Sequence, residues 1–260
     1  MEHLDYLSAV REQSRRFAGV LEGIDLGREV PSCPGWTAAD LVWHLAEVQH
    51  FWAEIVEHLL SGPEEAVGRE RPADRDLLDV FSDSSARLAR VLAGAEPGAA
   101  CWTWSGDRSV AFVRRRQAHE ALIHRVDAEQ AAGARHAPID PAFAADGVDE
   151  IVRVFLGGLP DWGDFTPDGA TIRIEALDTG DTWGLAFGRF VGTSPSSGTH
   201  YDADAVTVGR DAVDPDTIVR GEAADLDLWL WGRKPLEALD VVGAVSQARR
   251  LRQQAAENTQ

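Results

Sequence analysis

Residues 114–129 read RRRQAHEALIHRVDAE. In about four helical turns they carry two histidines, three acids and four arginines. A helix that only covered a core would keep its apolar residues in one stripe and would not need that mixture. Side chains four apart on a helix point within about 40° of each other, and side chains five apart diverge by about 140°. Glu120 and His124 therefore share a face, while His119 is a neighbour and not a partner of His124. Asp127, three beyond His124, continues the stripe and is placed to orient its ring. A carboxylate and an imidazole on one face are two ligands of a divalent-metal site. The same residues also read as a polar i,i+4 pair, with Glu120 alternatively paired to Arg116 on the preceding turn.

A third ligand has to come from another helix. The leading candidate is His44 in DLVWHLAEVQHFW, two turns into its helix and flanked by Leu41, Leu45 and Val48. His50 and His58 follow and read as solvent-facing. Two histidines and a glutamate leave a coordination position open, which is the pattern of a catalytic site and not of a closed structural one. The start of that helix is explicit in CPGWTAADL. Pro34-Gly35 makes a turn, Thr37 is the N-cap, Asp40 completes a capping box, and Trp36 and Leu41 occupy the staple positions.

Working outward, the first half reads as four helices, over about 3–22, 37–60, 74–93 and 109–132, the last stopping at Gly133. Connections read as mostly short suggest an up-and-down bundle. GARHAPIDP (133–141) reads as a linker, and 141–158 as one further helix. Beyond it the period changes from helical to alternating. ATIRIEAL (170–177), TWGLAFGRF (182–190) and AVTVGR (205–210) read as strands. GTSPSSGTH (192–200) reads as a loop, DPDTIVRG (214–221) and EAADLDLWLWGR (222–233) as short helices, and AVSQARRLRQQAA as a closing helix. The expected fold is α+β in two domains, a bundle over 1–139 and a smaller domain with a short, mainly antiparallel sheet over 140–260.

Composition excludes several functions. With 43 acids against 25 bases, the formal charge of −18 repels nucleic acid and anionic lipid. No window approaches the roughly 18–20 apolar residues of a membrane span, and the N-terminus lacks the pattern of a signal peptide. Two cysteines, Cys33 and Cys101, are too few for a disulfide scaffold. These features predict a cytoplasmic protein with inert or packed thiols.

The motifs PGWTAADLVWHLAE, CWTW, VRRRQAHEALIHRVDAE and the late VRGEAADLDLWLWGRKP resemble the actinobacterial mycothiol-dependent maleylpyruvate isomerase family, over roughly residues 5–250. The resemblance implies a DinB-like N-terminal four-helix bundle and a sterol-carrier-like C-terminal domain. It implies zinc, or another divalent metal, on His44, Glu120 and His124, the three residues that helical spacing also favours. It implies mycothiol as cosubstrate and a small electrophile, such as an unsaturated acid, as substrate. Cis–trans isomerisation and thiol transfer are the reactions it suggests. An arginine of the C-terminal domain takes part in the family reaction, and Arg233 in LWGRKP is the candidate, or else a helix cap. Arg116 and Arg125 are further candidates for a substrate carboxylate, which suits paired guanidinium contacts. Trp102 and Trp104 read either as walls of the cosubstrate pocket or as packing at the bundle end. Zinc-bound water in a hydrolase and a non-catalytic binding module are the alternatives.

Overall fold

The computed structural model describes residues 4–209 and 214–259. His3 and Arg210, the outer ends of the expected first helix and third strand, lie outside the described residues. The chain forms two compact units, Met1–Ala137 and Pro138–Gln260.

The first unit holds helices α1 (Tyr6–Leu21), α2 (Ala38–His58), α3 (Leu77–Gly94) and α4 (Val110–Ala132). Three of these helices start at a capping side chain. Asp5 accepts from the Ser8 amide to cap α1, Thr37 and Asp40 form a reciprocal capping box at α2, and Ser109 caps α4. At the far end of α4, Gly133 adopts a left-handed φ of 67° and closes the last turn. The third helix begins later than its sequence suggests, because Asp74–Asp76 form a separate 3-10 turn.

The helices do not alternate up and down. Arg71, just ahead of α3, reaches Asp40 in the first turn of α2, while Arg87, late in α3, reaches Glu54 and Glu57 in the last turns of α2. So α2 and α3 run parallel. Tyr6 packs on His119, Arg28 beyond α1 donates to the carbonyl of Ala132, and Phe17 and Leu21 share a cluster with Ala128 and Ala131. So α1 and α4 also run parallel. Parallel neighbours need a connection that returns along the bundle, and residues 59–76 provide it. That link is too long for the short turn an up-and-down topology requires. The core at one end joins Phe17, Leu21, Val30, Leu41, Val42, Leu45, Leu77 and Phe81.

The second unit opens with α5 (Pro141–Glu150), which passes into a π-helical turn over Ile151–Leu156. A five-stranded sheet follows, ordered β3-β2-β1-β4-β5. Its strands are β1 (Gly163–Ala176), β2 (Thr182–Thr193), β3 (His200–Val208), β4 (Thr217–Gly221) and β5 (Asp240–Gly243). All pairings are antiparallel except β1 with β4. Helices α6 (Ala223–Leu230) and α7 (Val245–Asn258) complete the unit, α7 lying across β1, β3, β4 and β5.

Three expectations need correction here. DPDTIVRG contains no helix; its Thr217-Ile218-Val219 run is β-branched and pairs with Ile172–Ile174 of β1. Strand β1 begins at Gly163 and not at 170, because Pro167 and the register shift before Thr171 break the alternation that marks a strand. Likewise 192–200 is shorter as a loop, since β2 runs to Thr193 and β3 starts at His200. Strand β5 has no counterpart in the sequence reading.

Candidate metal centre

Helices α2 and α4 bring His44, Glu120 and His124 together. One ligand atom from each lies within 4.8 Å of the others. Glu120 Oε1 is 3.1 Å from His124 Nε2 and 3.4 Å from His44 Nε2. The two imidazole rings meet edge to face with centroids 4.8 Å apart. A tetrahedral ion with bonds of about 2.1 Å separates its ligands by about 3.4 Å, so the set fits a divalent metal without rearrangement of the helices. Side-chain exposure falls from 33% at His44 to 18% at Glu120 and 10% at His124, so the group opens to solvent on the His44 side.

The surroundings fix each member. Asp127 is fully buried and its Oδ2 lies 3.0 Å from His124 Nδ1. That contact favours the tautomer in which Nδ1 carries hydrogen and Nε2 presents a lone pair to the cluster. Arg116 Nη2 donates to Glu120 Oε2 at 3.0 Å, leaving Oε1 for the histidines. Trp36 packs on His44 with ring centroids 4.9 Å apart. Burial alone would raise the Glu120 carboxyl, yet His124, His44 and Arg116 hold it well below the ordinary value. Burial alone would lower His124, yet Glu120 and Asp127 bring it up to about 9. With no ion, the pair is a carboxylate facing an imidazolium, and a bound ion would take the place of the Nε2 proton.

The other expected site residues are placed as follows. Arg116 is buried against Glu120, and Arg125 is buried against Glu129. His119 packs on Tyr6, on another face of α4. Trp102 stacks on Trp52 and meets Phe51. Trp52 is eight residues beyond His44, about 12 Å along the helix. Trp104 packs on Phe112 near the start of α4. The bundle thus places both tryptophans toward its other end, apart from the cluster. In the second unit the amides of Arg233 and Lys234 donate to the carbonyl of Leu228, and Arg233 Nη1 donates to that of Trp231; these contacts close the C-terminal end of α6. His50 lies against the Val67 carbonyl and Arg87.

Ser32 escaped the sequence reading, and Cys33, read there only as an inert or packed thiol, also lies near the cluster. Ser32 Oγ donates to Asp127 Oδ1 at 2.5 Å, and Cys33 Sγ lies 3.6 Å from Asp127 Oδ2. Both sit in a turn ahead of α2, where Ser reads simply as a turn residue; no local signal points to a partner on α4.

A helical bundle with a two-histidine, one-carboxylate cluster, joined to an α+β unit, defines a class of two-domain proteins with a candidate metal centre. Residues 7–129 match the "Mycothiol maleylpyruvate isomerase N-terminal domain" and residues 142–250 the "MDMPI C-terminal domain". The chain belongs to the mycothiol-dependent maleylpyruvate isomerase family of enzymes. No curated protein sequence matches it. Its fold is similar to the crystal structure of the mycothiol-dependent maleylpyruvate isomerase, with a TM-score of 0.58 and 18% identity over 92% of this chain and 93% of that one. A histidine-to-alanine mutant of the mycothiol-dependent maleylpyruvate isomerase gives 0.59 and 16% over the same shares. Among the described residues no helix is long and apolar enough to cross a membrane.

Proposed function

We propose that this chain holds a divalent metal, zinc foremost, on His44, Glu120 and His124, and uses mycothiol to act on a small electrophile such as an unsaturated acid. The observation that carries the reading is the convergence of these three side chains from two helices, with the Asp127 carboxylate behind one of them. When bound, such an ion lowers the pKa of a thiol, making thiolate available near neutral pH.

The chain's own residues do the rest. His44 and His124 supply nitrogen ligands, and Arg116 keeps the Glu120 carboxylate ionised and oriented. The thiol comes from outside. Cys101 is buried, and burial raises its thiol above the ordinary value; Cys33 lies against Asp127, on the Nδ1 side of His124. An external thiol that adds to a cis C=C bond allows rotation about the resulting single bond, and its elimination returns the trans alkene with the thiol unchanged. Capture of the adduct instead would make the reaction a thiol transfer. A guanidinium is the natural partner for a substrate carboxylate.

The test is a turnover assay of the zinc-loaded protein on maleylpyruvate, with and without mycothiol. Thiol-dependent turnover that His44→Ala abolishes, together with loss of bound zinc, supports the reading. Turnover without thiol would make the protein a hydrolase, and stoichiometric zinc without turnover on any electrophile would make it a binding module; either outcome overturns the proposal.

A further inference from the structure

The turn ahead of α2 touches the surroundings of both histidines. It is tightly closed: Val30 N donates to the Trp36 carbonyl at 2.9 Å, Cys33 N to that of Val30 at 3.0 Å, and Trp36 N to that of Cys33 at 3.0 Å. Gly35 takes a φ of 85°, which a residue with a Cβ adopts only under strain. From this closed turn Ser32 and Cys33 reach Asp127 on α4, and Trp36 reaches His44 on α2. Ser32 grips one carboxylate oxygen of Asp127 while His124 Nδ1 lies on the other. A carboxylate with both oxygens engaged has little freedom to rotate, so the direction of the His124 ring is set partly from 92 residues away in sequence, by Ser32 acting through Asp127.

We infer that Ser32 is a positioning residue of the metal centre, locking Asp127 so that His124 Nε2 stays aimed at Glu120 and His44. The inference rests on the proposal that the cluster holds a metal. A hydroxyl at this site does no chemistry of its own; its contribution is to remove the alternative orientations of Asp127 that would let the imidazole turn. Partners bonded directly to a ligand, as Asp127 is, change metal affinity by about 10- to 100-fold when removed, and Ser32, one bond further out, acts toward the low end of that range.

The test measures the zinc dissociation constant by chelator competition and the visible spectrum of the cobalt-substituted protein. It compares the wild type, Ser32→Ala, Ser32→Thr, Asp127→Asn and the Ser32→Ala/Asp127→Asn double variant. Ser32→Ala should weaken zinc by about tenfold and alter the cobalt bands, with the metal-free protein still folding cooperatively. Ser32→Thr, which keeps the hydroxyl, should restore both. In the Asp127→Asn background the serine substitution should have a smaller effect than alone, since the amide offers one acceptor oxygen where the carboxylate offers two. A wild type that binds no metal sinks the functional reading itself. A wild type that binds zinc, with Ser32→Ala binding equally well and giving the same cobalt spectrum, overturns this inference alone, as do effects of the two substitutions that simply add.

Discussion

At the scale of single residues, the centre is an arrangement of charge that suits an ion. Glu120 divides its two oxygens between Arg116 and the histidines, and His124 divides its two nitrogens between Asp127 and Glu120. The cost of burying these groups is offset by their mutual pairing. Because His124 without metal keeps its proton to about pH 9, a metal ion binding at neutral pH would have to displace it. A folded pKa raised above the ordinary value means that the proton stabilises the metal-free protein below that value and that this contribution disappears as pH rises through 9. Zinc affinity should therefore climb from pH 7 toward pH 9, by about tenfold per unit for one proton. Isothermal titrations in buffers of different ionisation enthalpy check this, and a flat profile without proton release contradicts it. The pair Glu120–His124 was legible because helical spacing is local information. Ser32 was not, because its partner lies 95 residues on and a lone serine in a turn carries no mark of it.

At the scale of elements, caps explain where α1, α2, α4 and α5 begin and where α4 ends. Asp40 serves twice, closing the capping box with Thr37 and pairing with Arg71. The hydrogen bond from Arg71, then those from Thr37, bring its carboxyl down to about 2. A depressed carboxyl stabilises above the unfolded value of 3.8 and loses that contribution as pH falls through 2. Both side chains are more than a third exposed, so screening keeps the ion pair's share small. Asp40→Asn should cost about 1 kcal/mol in urea unfolding at pH 7, with the gap to wild type closing as pH drops below 4; an equal gap at pH 3 contradicts this. Gly133→Ala should cost about 1 kcal/mol as well, since the nearest atom to an added Cβ is 3.7 Å away and only the left-handed backbone resists. An unchanged thermal unfolding midpoint would contradict that expectation. The capping box and Gly133 could be read directly from Thr-Ala-Ala-Asp and the glycine after the last apolar residue. Strands β4 and β5, five and four residues long, could not; they are too short to show a period and owe their pairing to distant partners.

At the scale of the molecule, an ion on His44, Glu120 and His124 cross-links α2 to α4. Such a link stabilises only the native arrangement. At a hundredfold excess of free zinc over its dissociation constant the gain is about 2.7 kcal/mol. Stripping zinc with a chelator should lower the Tm of the helical unit by several degrees; a Tm indifferent to chelator would place any bound metal elsewhere. A helical first half and a strand-bearing second half were legible from the linker at 133–141 and the change of period beyond residue 158. The order of helices around the bundle was not, because amphipathic stripes say which face is buried and not against which helix. Helix α4 shows the limit most clearly: it is buried on nearly every side, Val110 to Ala131, histidines and acids included, so it offers no stripe to read.

The parallel pairing of α1 with α4 has a consequence for synthesis. Tyr6 meets His119 about 110 residues further on, and the first helix finds its main partner only in the last helix of the bundle. A chain emerging from the ribosome at about 5–20 residues per second carries α1 exposed for several seconds before α4 appears. Distant pairings of this kind slow folding and prolong the time that apolar surface is open to chaperones or to other nascent chains. Tyr6, whose ring partner His119 lies on α4, waits that long, whereas Phe17 can already meet Phe81 once α3 has formed.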